Sequence, residues 1–218
     1  MQTSSGNSAV GIAGRFDPFR TPRRAFVLAV LAVAGLVAGT LALNGLGELG
    51  WRTATRLSAR LAFPFFLTAF VASPLARLWP TDWSRGLRRR RRSIGVAYAT
   101  LQTGHALVIL QLARLDDTTL GLGVETVIGG LGIALAIAMG LSSNDAAVRA
   151  LGGRRWIALH RTGMVVIFLI YLSSYGGRFA ADPAAWWPGF GALVAALGLR
   201  GAAALQSRSL RSRMLPTE

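Results

Sequence analysis

Six predominantly apolar stretches decide what this chain can fold into. They run over residues 25–43, 57–78, 93–113, 120–141, 156–175 and 186–205, each nineteen to twenty-two residues long. At a helical rise of roughly 1.5 Å per residue, each can cross a hydrocarbon layer of about 30 Å. Lipid offers no partner to a bare N–H or C=O, so a segment entering it must satisfy its backbone within itself, as a helix does. The expected fold is therefore all-α, a polytopic integral membrane bundle of six transmembrane helices. Composition agrees: 52% of residues are hydrophobic and 15% charged, and the mean hydropathy is +0.46, more apolar than ordinary soluble domains.

A net charge of +15 invites a nucleic-acid reading, but topology sorts the charges. All 24 basic residues are arginine. Threaded through a bilayer, the six spans leave 19 on one side, including Arg77, Arg85, residues 88–92, Arg161 and Arg200. Five fall on the other: Arg52, Arg56, Arg60, Arg114 and Arg178. Such a bias marks the cytoplasmic face, so both termini are expected there, in a multi-pass protein of the cell inner (plasma) membrane. No folded surface is left to read a nucleic acid. The run 88–92 serves orientation and offers anionic lipid head groups or an acidic partner a place to dock. All six tryptophans lie near expected membrane interfaces, and the absence of cysteine excludes disulfides, thiolate chemistry and iron–sulfur clusters.

Between the spans the sequence reads simply. Residues 1–24 form a flexible cytoplasmic tail, 25–205 the transmembrane domain and 206–218 a short basic tail. Thr21-Pro22-Arg23-Arg24 resembles a twin-arginine export signal, but the nineteen uncharged residues that follow suit a transmembrane helix better than the short core of a signal. Outer loops are expected at 44–56 and 178–185, an outer turn with Asp116 and Asp117 at 115–120, and an inner loop at 80–92. In the second inner loop Ser142, Ser143, Asn144 and Asp145 offer caps for a short interfacial helix over 146–151, which Gly152 and Gly153 stop. Small residues recur four apart at Gly35 and Gly39, at Gly95, Ala99 and Thr103, and at Gly132, Ala136 and Gly140, a pattern of close helix packing. No Gly-rich fingerprint follows a strand, so an intrinsic flavin or nicotinamide site is not expected.

Chemistry narrows to two side chains, His105 and His160, the only histidines in the chain. His105 lies thirteen residues beyond Arg92, about 20 Å along a helix and past the bilayer midplane. His160 lies five beyond Arg155, only about 7–8 Å in. Neutral imidazole ligates iron well, and two on facing helices make a six-coordinate haem. A proton relay, or a buried ring hydrogen-bonded to Gln102, suits His105 equally, and a headgroup-level polar residue suits His160. Of the acidic residues, Glu48, Asp116, Asp117 and Asp182 map to outer loops and are expected to be solvated. Glu125 stands just inside a span, where it pairs with Arg114 or takes protons near an outer quinone or metal site. No paired carboxylates or nucleophile–base set appears.

Two blocks carry a family resemblance. The first is Arg91-Arg92-Ser93-Ile94-Gly95-Val96-Ala97-Tyr98, with His105 ten residues after Gly95. The second runs Leu141-Ser142-Ser143-Asn144-Asp145, Arg149-Ala150-Leu151-Gly152, Arg155-Trp156 and Leu159-His160-Arg161. Together, in order and spacing, they resemble the ferric reductase-like transmembrane domain, nearest to the haem-binding membrane subunits of periplasmic methionine sulfoxide reductase systems, over roughly residues 44–175. The resemblance implies a six-span bundle holding b-type haem through histidines on the third and fifth spans. It implies transmembrane electron transfer from quinol or a cytoplasmic flavin reductase to a periplasmic acceptor protein, as the membrane subunit of an oxidoreductase. His105 and His160 sit at two of the family's histidine positions and are the candidate cofactor-binding and iron-ligating residues for one haem b.

The chain departs from the family at one further histidine, thirteen residues beyond His160, where it has Ser173. Depth makes that departure matter: on the same rise His105 and His160 differ by about 12 Å, whereas two axial nitrogens on one metal sit about 4 Å apart. Three arrangements follow. One haem takes His105 with a second ligand, either His160 through helix offset or tilt or a substitute of which Met164, Tyr171 and Tyr175 are nearest in depth; or His105 holds a five-coordinate haem alone; or the bundle is a haem-free membrane scaffold. A small-solute transporter is disfavoured, because no span pair shows a Gly/Pro-interrupted repeat.

Overall fold

A computed structural model describes residues 17–116 and 123–213. Asp117, the first residues of the expected fourth span and the outermost parts of both tails lie outside the described residues. Among the described residues seven helices follow one another: α1 (Pro22–Asn44), α2 (Glu48–Leu78), α3 (Asp82–Ala113), α4 (Val124–Leu141), α5 (Asp145–Leu151), α6 (Gly153–Ala181) and α7 (Pro183–Arg213). All but α5 are long and apolar enough to cross a membrane, so the six expected spans are all present.

Several loops expected between spans are helical instead. α2 begins at Glu48, inside the segment assigned to the first outer loop. The arginine run 88–92 belongs to α3, not to an inner loop. The reason is local: Thr81 accepts from the Ser84 N–H, and the Ser84 hydroxyl accepts from the Thr81 N–H, a capping box that starts the helix six residues before the run. Arginine is a good helix former, so nothing stops propagation through it. Likewise α6 continues to Ala181, and the last outer loop shrinks to Asp182 before Pro183 opens α7. The expected interfacial helix is α5. Asn144 caps it, its side chain accepting from Ala147 N at 2.8 Å, and Gly152 ends it at φ +76°, a conformation that favours glycine.

The described part of the amino-terminal tail is docked rather than loose. Asp17 pairs with Arg90 at 2.6 Å, and the Phe19 ring meets Phe65 edge-on at 6.1 Å. The twin arginines fall in the first turn of α1, where Thr21 caps the helix and Pro22 begins it.

Helix contacts close a ring. α2 packs on α3, α3 on α4, α4 on α6, α6 on α7, and α7 returns to α2; α1 lies outside against α2 and α3, and α5 lies against α6. Phe66, Leu101, Ile167 and Leu193 are fully buried at its centre, and Phe70 stacks on Phe168 with centroids 4.6 Å apart. Outward faces are apolar and open, with Leu31 62% and Leu107 62% exposed, as expected where lipid replaces water. The small-residue pattern divides in two. A Cβ on Gly140 would come within 2.5 Å of Ala99 Cβ, and one on Gly132 within 2.9 Å of Ile170, so α4 does lie close to its neighbours. Gly35 and Gly39 have nothing within 4 Å, and the tight contact of α1 is instead Val33 against Gly104 of α3.

Candidate functional site

The ring separates the two histidines. His105, on α3, lines a cavity of about 580 Å³ between α2, α3, α4 and α6, within the roughly 300–1,000 Å³ usual for cofactor sites. His160, near the start of α6, lines two others at the opposite, arginine-rich end, of about 560 and 320 Å³. The His105 cavity does not include His160, and neither His160 cavity includes His105.

Around His105 the chain builds a defined environment. Ser58, buried on α2, lies with its Oγ 2.9 Å from His105 Nδ1 and donates its own proton to the Thr55 carbonyl at 3.1 Å. With that proton pointing to the Thr55 carbonyl, the hydroxyl can accept from Nδ1–H, the tautomer in which the Nε2 lone pair is free to ligate. Across the cavity Gly129 and Gly130 of α4 present bare backbone, and a Cβ on either would meet nothing within 4 Å. One wall is aromatic and polar. Gln102 donates to the Tyr98 hydroxyl at 2.8 Å and to the Tyr171 hydroxyl at 3.4 Å, while its Oε1 is buried with no donor. An orphaned acceptor of this kind marks a place where a ligand or water completes the pairing.

The acidic residues are arranged differently from the sequence expectation. Glu48 and Asp116 are not simply solvated: Arg52 pairs with both, at 2.5 Å each. Arg114 turns to Gln111 at 3.2 Å instead of to Glu125, and Glu125 lines the His105 cavity. Of the side chains nearest in depth to His105, only Tyr171 shares its cavity. Met164 lines both His160 cavities, and Tyr175 belongs to a separate hollow with Arg60 and Trp186. Ser174, the neighbour of Ser173, lines the His105 cavity and Ser173 does not.

His160 is held on both sides of its ring. Nδ1 faces the Trp156 carbonyl at 3.1 Å, Nε2 lies 3.4 Å from Ser143 Oγ, and the imidazole stacks on the Trp156 indole at 4.1 Å. Trp156 in turn donates to the Ser142 carbonyl at 2.8 Å. This set ties the start of α6 to the end of α4. Among the described residues no three His, Cys, Asp or Glu side chains group to hold a bare metal ion. A metal at His105 would therefore need a ligand frame of its own, as a macrocycle provides.

Two curated proteins are similar to this chain. The haem-binding subunit MsrQ of the protein-methionine-sulfoxide reductase of Azospira oryzae is 34% identical over 109 residues, 48% of this chain and 45% of that protein. The MsrQ of Rhodospirillum rubrum, with the same name, is 30% identical over 112 residues, 49% of this chain and 52% of that protein. The chain thus matches about half the length of each of these relatives. No family model matches it, and no solved structure does.

Sequence reasoning singled out His105 with Gln102 as a neighbour, and both line the cavity. It missed Ser58, whose only signal was a small hydroxyl inside an apolar span. Gly129 and Gly130 also escaped it, because the packing pattern drew attention to Gly132 and Gly140.

Proposed function

We propose that this chain is a haem-binding membrane subunit that carries electrons, with a single haem b in the cavity beside His105. The observation that carries the reading is His105 itself: a lone imidazole whose Nδ1 is tied to Ser58 at 2.9 Å, on the wall of a cavity of about 580 Å³. Its bare glycine wall gives a flat macrocycle room, and the similarity to two haem-binding subunits supports haem as the occupant. Haem would supply a one-electron carrier inside the membrane. His105 would hold the iron, Ser58 would fix the ring, and Tyr171 and the Gln102 acceptor would offer polar contacts within the cavity. Glu125, near the outer end of the cavity, would take or release the protons that accompany electron movement. His160 lines cavities at the other end of the bundle and none that His105 lines, so it is not the partner ligand in this reading.

By the same reading the chain works as one part of an oxidoreductase in the cell inner membrane, with both termini cytoplasmic. Its electrons come from quinol or a cytoplasmic flavin reductase and pass to a periplasmic acceptor protein. A spectrum of the purified protein tests the central claim. Reduced-minus-oxidised difference bands of a b-type haem are expected. They should vanish in a folded His105→Ala variant and persist in His160→Ala. A colourless, iron-free but folded preparation would overturn the proposal in favour of a haem-free scaffold, the reading that Ser173 favours.

A further inference from the structure

The larger cavity beside His160 brings four arginines together from four helices: Arg77 of α2, Arg91 of α3, Arg161 of α6 and Arg200 of α7. No carboxylate lines it, and the five ion pairs among the described residues involve none of the four. Within the arginine run itself the contrast is sharp. Arg90 is paired with Asp17 and Arg92 with Asp145, whereas Arg91 turns inward to the Ala69 carbonyl at 3.0 Å and to Ser73 Oγ at 3.3 Å. Arg77 donates to Ser207 Oγ at 2.6 Å and to the Ala203 carbonyl at 3.3 Å. Arg200 lies over the Phe70 ring at 4.2 Å. These neutral partners position the guanidinium groups without cancelling their charge, and each guanidinium has five donors. Four like charges converging on one cavity favour an anion strongly, and arginine matches phosphate with paired N–H donors.

The rest of the lining decides which phosphate. Phe70, Pro74, Met164 and Ala204 are apolar, and Ile157 is 58% exposed, on the outward face of α6. Trp156, an amphipathic ring of the kind that sits at a headgroup level, closes another side. A ligand that places phosphate among arginines and hydrocarbon against the adjoining apolar wall is a phospholipid. With no acid present, a zwitterionic headgroup would add a cation to an already cationic nest. We infer that this cavity binds the phosphate of an anionic phospholipid at the arginine-rich end of the bundle. The site is independent of the haem reading.

Full-length protein in detergent, incubated with phosphatidylglycerol or phosphatidylcholine and examined by native mass spectrometry, tests this. Retention of phosphatidylglycerol over phosphatidylcholine is expected, and Arg161→Gln and Arg200→Gln should each weaken it by roughly fivefold. Arg161 is exposed, so its variant should fold even if loss of Arg91 or Arg77 disturbs packing. Arg154→Gln, an exposed arginine outside the cavity, should retain the lipid as the parent does and controls for general surface charge. Equal retention of the two lipids would overturn the inference. So would an unchanged Arg161→Gln variant, or displacement of phosphatidylglycerol by equimolar inorganic phosphate, which would assign the site to a soluble anion.

Discussion

Ser58 fixes how His105 can be used. The Ser58 oxygen lies 2.9 Å from His105 Nδ1 and so holds the ring in one orientation. Partners of this kind commonly change metal affinity by about 10- to 100-fold. Ser58→Ala is therefore expected to weaken haem retention within that range and to shift the midpoint potential, while Ser58→Thr, which keeps the oxygen, restores both. Haem titration and a redox titration read the two effects; an alanine variant with parental affinity and potential would remove Ser58 from the site. His160 differs at the same scale: its Nδ1 faces the Trp156 carbonyl of its own helix and its Nε2 lies 3.4 Å from Ser143 Oγ, in cavities apart from that of His105. A residue type at a spacing identifies a candidate, and the packing of the helices decides which cavity it faces.

Among elements, α4 relies on two glycines having no side chain where it meets its neighbours. A Cβ at Gly140 would lie 2.5 Å from Ala99 Cβ, which cannot move aside. Gly140→Ala should push α3 and α4 apart and cost about 1–3 kcal/mol, seen as a lower unfolding temperature in detergent by circular dichroism. Gly35→Ala in α1, with nothing within 4 Å, should leave that temperature unchanged. The two glycines look alike in sequence because each sits in a small-residue repeat. Only the neighbouring helix distinguishes them. Helix lengths were harder to read than helix existence for a related reason: hydropathy reports where lipid is, while Thr81 capping and arginine propensity carry α3 beyond it.

For the whole molecule, the sorting of arginine between the two faces predicts orientation. The chain has no cysteine, so single cysteines can report topology without background. Leu46→Cys, at an exposed turn between α1 and α2, should react with an impermeant thiol reagent added to intact cells. Gln206→Cys, at the other end of the bundle, should react only after the membrane is opened. The reverse pattern would invert the assignment and move the arginine cavity to the outer face.

Six apolar segments, one arginine-biased face and two histidines at different depths were all present in the order of residues. They followed from quantities that are local or additive along a helix: hydropathy per window, charge per loop and rise per residue. What the order of residues could not decide was which side chains meet. The ring of α2, α3, α4, α6 and α7 puts Ser58 on His105, leaves Gln102 Oε1 without a donor and gathers Arg77, Arg91, Arg161 and Arg200 around one cavity. The four arginines alone span 123 positions, from Arg77 to Arg200. Their meeting depends on how helices rotate and pack against one another, a property that no single segment carries.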